Sequence, residues 1–152
     1  METNMIGTDS VQYIVVKIGT EQYGIDIKYV DNIVRMQKIT RVPKVQPYVK
    51  GVINLRGEVI AVMSIRLKMG LPIDEYTGKT RIIILKPDQQ SEVGIIVDEV
   101  KEVVTLESEQ IEKTSHDVKD ERISYINGVG KHNGELISLL DMNVVMSDRE
   151  KE

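Results

Sequence analysis

The sequence repeats itself, and that repeat constrains the fold more than any single motif. Tyr23 to Val34 falls on Val93 to Val104 at an offset of 70, with Gly24 on Gly94, Ile25 on Ile95, Val30 on Val100 and Val34 on Val104. Gly51 to Met69 falls on Gly128 to Met146 at an offset of 77, where Gly51/Gly128, Val52/Val129, Gly57/Gly134, Glu58/Glu135, Ile60/Ile137 and Met69/Met146 are identities. Two ungapped blocks in the same order read as one structural unit used twice. The offsets differ by seven residues, which places an insertion within 105–125 of the second half. Each half reads as several short strands, a hairpin with Gly at its turn and a short helix. The expected architecture is mostly β: two small barrel lobes related by a pseudo-twofold.

Composition supports strands. Val and Ile contribute 20 residues each while Phe and Trp are absent, so the core is aliphatic, with Met and six Tyr filling its gaps. β-branched side chains are stiff at χ1 and pack well on a pleated surface. A chain of 152 residues is the length of one domain, or of two small lobes sharing a core. The expected division is a tail over 1–10, a single domain over 11–147 (halves about 11–76 and 77–147) and a tail over 148–152.

Val11 to Ile18 and Tyr23 to Ile27 read as a strand pair turning at 19–22. Ile27, Val30, Ile33 and Val34 are spaced for a short amphipathic helix, or for an irregular strand. Pro43 and Pro47 break any element there and leave an extended connection. Gly51 to Met63 is a hairpin with Arg56-Gly57-Glu58 at its tip, and Ile65 to Met69 a helical turn. Arg81 to Leu85 and Glu92 to Val97 are strands joined by a turn over 87–90. Val100, Val103 and Val104 continue apolar, and 105–122 is polar and loop-like. Tyr125 to Leu140 is a hairpin turning at Asn133-Gly134, and Asp141 caps a helix through Met146.

Several functions lose their support. The net charge of −4 is mixed along the chain, with no basic stripe carrying interleaved aromatics, so no nucleic-acid partner is expected. No apolar run approaches a membrane span and the first residues are not a signal peptide, so the chain is expected in the cytoplasm without direct membrane insertion. Without cysteine there is no disulfide, thiolate metal site or cysteine nucleophile, and the two histidines, His116 and His132, lack ligand-like spacing. No metal or cofactor is expected. Ser115-His116-Asp117 is a run of adjacent residues, whereas triads assemble from distant ones. Gly128 to Gly134 fits neither the dinucleotide nor the P-loop spacing, because Asn133 stands where Gly is needed and His132 follows Lys131. Asp98 and Glu99 are neighbours on an extended chain, so they diverge and read as surface charge rather than an acid/base pair.

Gly51-Val52-Ile53-Asn54-Leu55-Arg56-Gly57 is a pattern that resembles the CheW family of bacterial chemotaxis coupling proteins. Glu21 to Ile27, Val93 to Val100 and Gly134 to Asp141 carry the same resemblance, which spans about 13–145. Ala61 and Ser64 depart from it, since the family usually has Pro and Asp there. The Ala61 change raises the expectation that edge pairing of that strand differs.

The resemblance implies two five-stranded, SH3-like β-barrel lobes around a shared aliphatic core. It implies a non-catalytic scaffold, with no cofactor, that couples chemoreceptors to the histidine kinase CheA and so controls kinase activity. Expected partners are the kinase's regulatory domain, met barrel end to barrel end, and the helical cytoplasmic tip of the receptors. The chain would be a monomer in isolation and assemble into arrays at the inner face of the membrane. An apolar groove between the lobes, lined by Val30, Ile33, Val100 and Val103, would accept the receptor helix, with Arg56 organising its rim. The alternative for the four apolar residues is that they fill the core. In the hairpin motif of Asn54, Leu55, Arg56 and Gly57, Asn54 is expected to bond local backbone and Gly57 to supply a positive φ. The alternatives in function are a peptide-binding SH3-like module, which lacks the usual aromatic lining, and a small hydrolase using Ser115, His116 or Asp98.

Overall fold

The computed structural model describes residues 10–72, 75–86, 92–113 and 125–146. In chain order the strands are β1 (Ser10–Ile18), β2 (Glu21–Asp26), β3 (Val30–Arg35), β4 (Val49–Leu55), β5 (Glu58–Ser64), β6 (Arg81–Leu85), β7 (Val93–Val97), β8 (Glu99–Glu107), β9 (Ile111–Lys113), β10 (Ile126–His132) and β11 (Glu135–Leu140). Two short helices follow the hairpins: α1 (Ile65–Lys68) after β5 and α2 (Met142–Met146) after β11. Their caps are repeat equivalents. Ser64 Oγ accepts from Leu67 N at 3.1 Å, and Asp141 Oδ1 accepts from Asn143 N at 3.1 Å. Ser64 thus performs the capping that an Asp would perform at that position.

The strands form a six-stranded sheet, β8-β1-β2-β11-β10-β9, and a five-stranded sheet, β3-β6-β7-β5-β4. The repeat converts β3, β7, β4 and β5 into β8, β2, β10 and β11, with β6 matching β1, so the two orders are the same apart from the extra β9. The registers agree residue by residue. Ala61 lies opposite Val93 in parallel pairing, and its equivalent Ser138 lies opposite Tyr23, again in parallel. Bulges recur at equivalent places, between Val30 and Asn32 against β6 and at the matching step of the β1–β8 ladder. A second pair falls between Val49 and Gly51 and between Ile126 and Gly128.

Three expectations need correction. Lobes do not follow the halves of the sequence at 76/77, because each sheet takes strands from both halves. Two segments that match in sequence occupy matching places in different sheets, and their hydrogen-bond partners come from the other half. The segment 105–122 is not a loop throughout: β8 runs on to Glu107, a 3-10 turn spans Ser108–Gln110, and β9 follows. Its counterpart in the first half is the isolated bridge of Thr40 to Val52, matching Glu112 opposite Val129. Finally, β5 is no edge strand, since it lies between β7 and β4 with Ala61 paired on both sides. Of the two readings of 27–34, the irregular strand is observed, as a 3-10 turn over Ile27–Tyr29 followed by β3.

Packing explains the uninterrupted apolar run of β6. Its side chains alternate between two cores, so both faces are buried. Ile83 and Leu85 join a central core with Ile14, Val16, Ile25, Ile95, Val97, the helix residues Ile65, Met142 and Val145, and Met69 at the end of α1. Ile82 and Ile84 point the other way, into a lobe core with Ile53, Ile60, Val62 and Ile96. The six-stranded sheet holds the matching lobe core of Val15, Val104, Leu106, Ile137 and Leu139. The central core therefore glues two lobes that each carry a smaller core of their own. Leu106 crosses that lobe onto Gly130, where a Cβ would stand 2.4 Å from its Cδ1.

Candidate partner-binding surfaces

The β4–β5 hairpin turns through two residues of positive φ, Arg56 at 54° and Gly57 at 85°. Two such residues make the type I′ turn, whose twist matches that of the flanking strands. Asn54 Oδ1 accepts from Gly57 N at 3.2 Å, as expected of a structural Asn. At the equivalent β10–β11 tip the left-handed residue is Asn133, at φ 52°. Asn tolerates this conformation, whereas a longer side chain costs about 1 kcal/mol or more there. Arg56 bears that cost while its exposed guanidinium makes no hydrogen bond or ion pair among the described residues. Sequence reasoning assigned the positive φ to Gly57 alone and missed that Arg56 shares it.

Val30, Ile33, Val100 and Val103 lie on β3 and β8, which occupy equivalent ends of the two sheet orders. They stand opposite Leu85, Ile83, Val16 and Ile14 respectively, all members of the central core. Val30 and Val100 are half-buried and pack on that core. Ile33 and Val103 remain 36% and 52% exposed. The four thus border the central core from two sheets, each equivalent pair split between them. Arg56 is not brought to β3 by pairing: β4 lies at the far end of the same sheet order.

A second kind of surface was expected at the barrel ends, but without named residues. In the five-stranded lobe a cavity of about 700 Å³ is lined by Met36, Lys38, Ile39, Arg41, Val49, Lys50 and Tyr76, among others. A second cavity, in the six-stranded lobe and about 680 Å³, is lined by Glu109, Ile111, Glu112, Val129, Lys131 and Leu136. It shares with the first only the segment before the hairpin, since Val129, Lys131 and Leu136 match Val52, Asn54 and Val59, which do not line the first. The first lining carries Lys38, Arg41 and Lys50 without a carboxylate, whereas the second carries Glu109 and Glu112 beside Lys131. The signal was readable: between Asp31 and Glu58 there is no carboxylate, but there are Arg35, Lys38, Arg41, Lys44, Lys50 and Arg56. Leu136, in the second lining, is 63% exposed, and its equivalent Val59 on β5 is 68% exposed.

Asp98 is not a surface charge. Its carboxylate accepts from Arg66 Nε at 3.1 Å, from a second guanidinium nitrogen of Arg66, and from Gly19 N at 2.8 Å. Partial burial pushes the carboxyl up, but the Arg66 guanidinium, the Gly19 N–H and Lys17 outweigh it and hold it below its ordinary value. A carboxylate so engaged is a structural anchor rather than a general base. Ser115 and His116 lie outside the described residues. No helix among the described residues is long and apolar enough to cross a membrane.

The CheW-like domain family matches residues 12–150. The chemotaxis protein CheW of Bacillus subtilis is 39% identical over 137 residues, 90% of this chain and 86% of that protein. The chemotaxis protein CheW of Helicobacter pylori is 32% identical over 137 residues, 90% of this chain and 81% of its own. In crystal structure, the scaffolding protein TtCheW from Thermoanaerobacter tengcongensis superposes with a TM-score of 0.83 at 27% identity, covering 93% of this chain and 96% of that one. The repeat, the shared sheet order, the Asn-Leu-Arg-Gly hairpin and these likenesses agree: the chain belongs to the CheW-like domain family.

Proposed function

We propose that this chain is a non-catalytic scaffold of bacterial chemotaxis that bridges the regulatory domain of the histidine kinase CheA to the helical cytoplasmic tips of chemoreceptors, and thereby controls kinase activity. Its relatives are named chemotaxis and scaffolding proteins. The observation that carries the reading is the presence of two separate kinds of surface on one body built over a dense aliphatic core. The first is the apolar border of Val30, Ile33, Val100 and Val103, which offers a helix face the contact it requires. The second is the pair of lobe ends, one lined by Lys38, Arg41 and Lys50 and the other by Glu109 and Glu112, a difference in charge that suits end-to-end packing on a like-folded domain. Such contacts are heterologous, and they close into rings or extend. A protein of this kind is a monomer in isolation, works in the cytoplasm and is recruited to receptor arrays. Residues 11–147 act as the single bridging unit, with tails at 1–10 and 148–152.

Arg56 stands at the β4–β5 tip, away from β3 in the sheet order. Its exposed guanidinium, without a hydrogen bond or ion pair among the described residues, is open to a contact outside the chain, which the reading assigns to the receptor side. The test is receptor-dependent phosphorylation by the kinase in a reconstituted mixture of receptor, kinase and this chain. Wild-type protein restores it; Arg56→Ala, folded, restores little of it. Full activity with Arg56→Ala removes Arg56 from the interface, and no activation by the wild type refutes the coupling role.

A further inference from the structure

Among the described strands the chain passes from one sheet to the other twice, from β2 to β3 and from β7 to β8. Asp98 is the single residue between β7 and β8. Its N–H donates to Lys17 O of β1 at 3.0 Å, and its side chain accepts from Gly19 N in the β1–β2 turn at 2.8 Å. Both contacts are to the six-stranded lobe. The same carboxylate takes both arms of Arg66, which stands on α1 directly after β5 of the five-stranded lobe. Arg66 Nη1 also donates to Pro72 O at 3.3 Å, fixing the guanidinium from behind. One carboxylate thus ties the two lobes where the chain crosses between them.

The other crossing lacks this device. Lys28 and Asn143 hold the positions equivalent to Asp98 and Arg66, so no carboxylate–guanidinium pair forms. A backbone bond from Lys86 N to Tyr29 O at 3.0 Å remains there, with an open Lys86–Asp31 pair at 4.0 Å whose side chains are 57% and 38% exposed. The repeat has been clamped on one side only. Val100 follows Asp98 by two residues, and Val30 follows the unclamped crossing directly. The setting of one crossing against the other therefore fixes how the two halves of the apolar border face each other.

We infer that Arg66 and Asp98 are positioning residues that lock the two lobes in the orientation the receptor helix requires. The inference rests on the receptor reading of the apolar border and adds to it the part that sets its geometry. Bidentate geometry is what makes Arg suited to the task, since a planar fork fixes direction as well as distance.

The test uses the full chain in three forms besides wild type: Asp98→Asn, Arg66→Met and the double variant. Arg66→Lys, which keeps the charge and loses the fork, serves if a single variant fails to fold. Residual dipolar couplings report the orientation of one sheet relative to the other, and titrations report affinity for a receptor-tip fragment and for the kinase regulatory domain. Couplings within each sheet are expected to stay as in wild type while the inter-sheet orientation shifts or averages. Receptor affinity is expected to fall roughly tenfold, with kinase-domain affinity unchanged and the double variant no weaker than the weaker single. Unaltered orientation in Asp98→Asn and Arg66→Met overturns the clamp, and so does an equal loss of both affinities, which marks a merely structural pair. If wild type itself does not bind the receptor fragment, the receptor reading falls, and the couplings alone decide whether the lobes are clamped.

Discussion

Gly51 offers a sharp test of the packing at the basic lobe end, because its repeat equivalent serves as the control. Gly51 sits at φ +145°, and a Cβ there would stand 2.1 Å from Thr40 O and 2.8 Å from the Thr40 carbonyl carbon. Both are backbone atoms, so no side-chain rotation relieves the contact. Thr40 must withdraw, and with it go the hydrogen bonds Thr40 N to Val52 O and Val52 N to Thr40 O, each 2.8 Å. Two such bonds contribute about 1 kcal/mol each, and the disallowed backbone conformation adds about 1–3 kcal/mol. Gly51→Ala should therefore cost about 3–5 kcal/mol, a large share of the 5–15 kcal/mol typical of a domain, and lower Tm by roughly 6–20 °C. Gly128 differs: its φ is ordinary, and a Cβ would meet Ile111 Cγ2 at 3.1 Å and Glu112 O at 3.4 Å. There the contact is tight but can give, and the reduced freedom of the unfolded chain offsets it, so Gly128→Ala should stay within about 1 kcal/mol of wild type. Urea unfolding and calorimetry on both variants measure the difference. Equal costs at the two positions would refute the reasoning.

Arg56→Asn places at the β4–β5 tip the residue found at the equivalent tip, so thermal unfolding should show stability unchanged or raised by up to about 1 kcal/mol. Asp98 is held below its unfolded value, so its contribution is complete above the unfolded pKa and lost as the pH falls through the folded one. Unfolding measured from neutral to acid pH should then lose stability less steeply in Asp98→Asn than in wild type. Gly130→Ala drives a Cβ against Leu106 Cδ1, the far end of a flexible side chain. It should cost about 1–3 kcal/mol, and Leu106→Val, which removes that atom, should recover most of it in denaturant titrations.

The sequence disclosed the repeat and hence the paired ladders, because Gly, Val and Ile recur where both copies meet the same neighbours. It could not disclose which copy supplies the partner strand, since matching segments look alike in either lobe; this is why the halves do not coincide with the sheets. The stretch 105–113 was hidden by its charge, although Val104 and Leu106 alternate with exposed residues, a period of two that marks a strand with one wet face. Helical spacing at Ile27, Val30, Ile33 and Val34 misled because a 3-10 turn and a bulge shift the phase of β3. Asp98 lies 32 residues from Arg66 and 79 from Gly19, distances over which composition and periodicity say nothing. Arg56 was found through its motif, and its strain only through its backbone angle.

Bridging is tested most directly by mapping both contacts on the same molecule. Isotopically labelled chain would be titrated first with the kinase regulatory domain and then with a receptor-tip fragment, following its amide signals by NMR. Two separate sets of shifted amides are expected, one at a lobe end around Lys38, Arg41 and Lys50 or around Glu109 and Glu112, the other around Val30, Val100 and Arg56. A single overlapping set would mean that the partners compete for one surface, and would contradict a bridge.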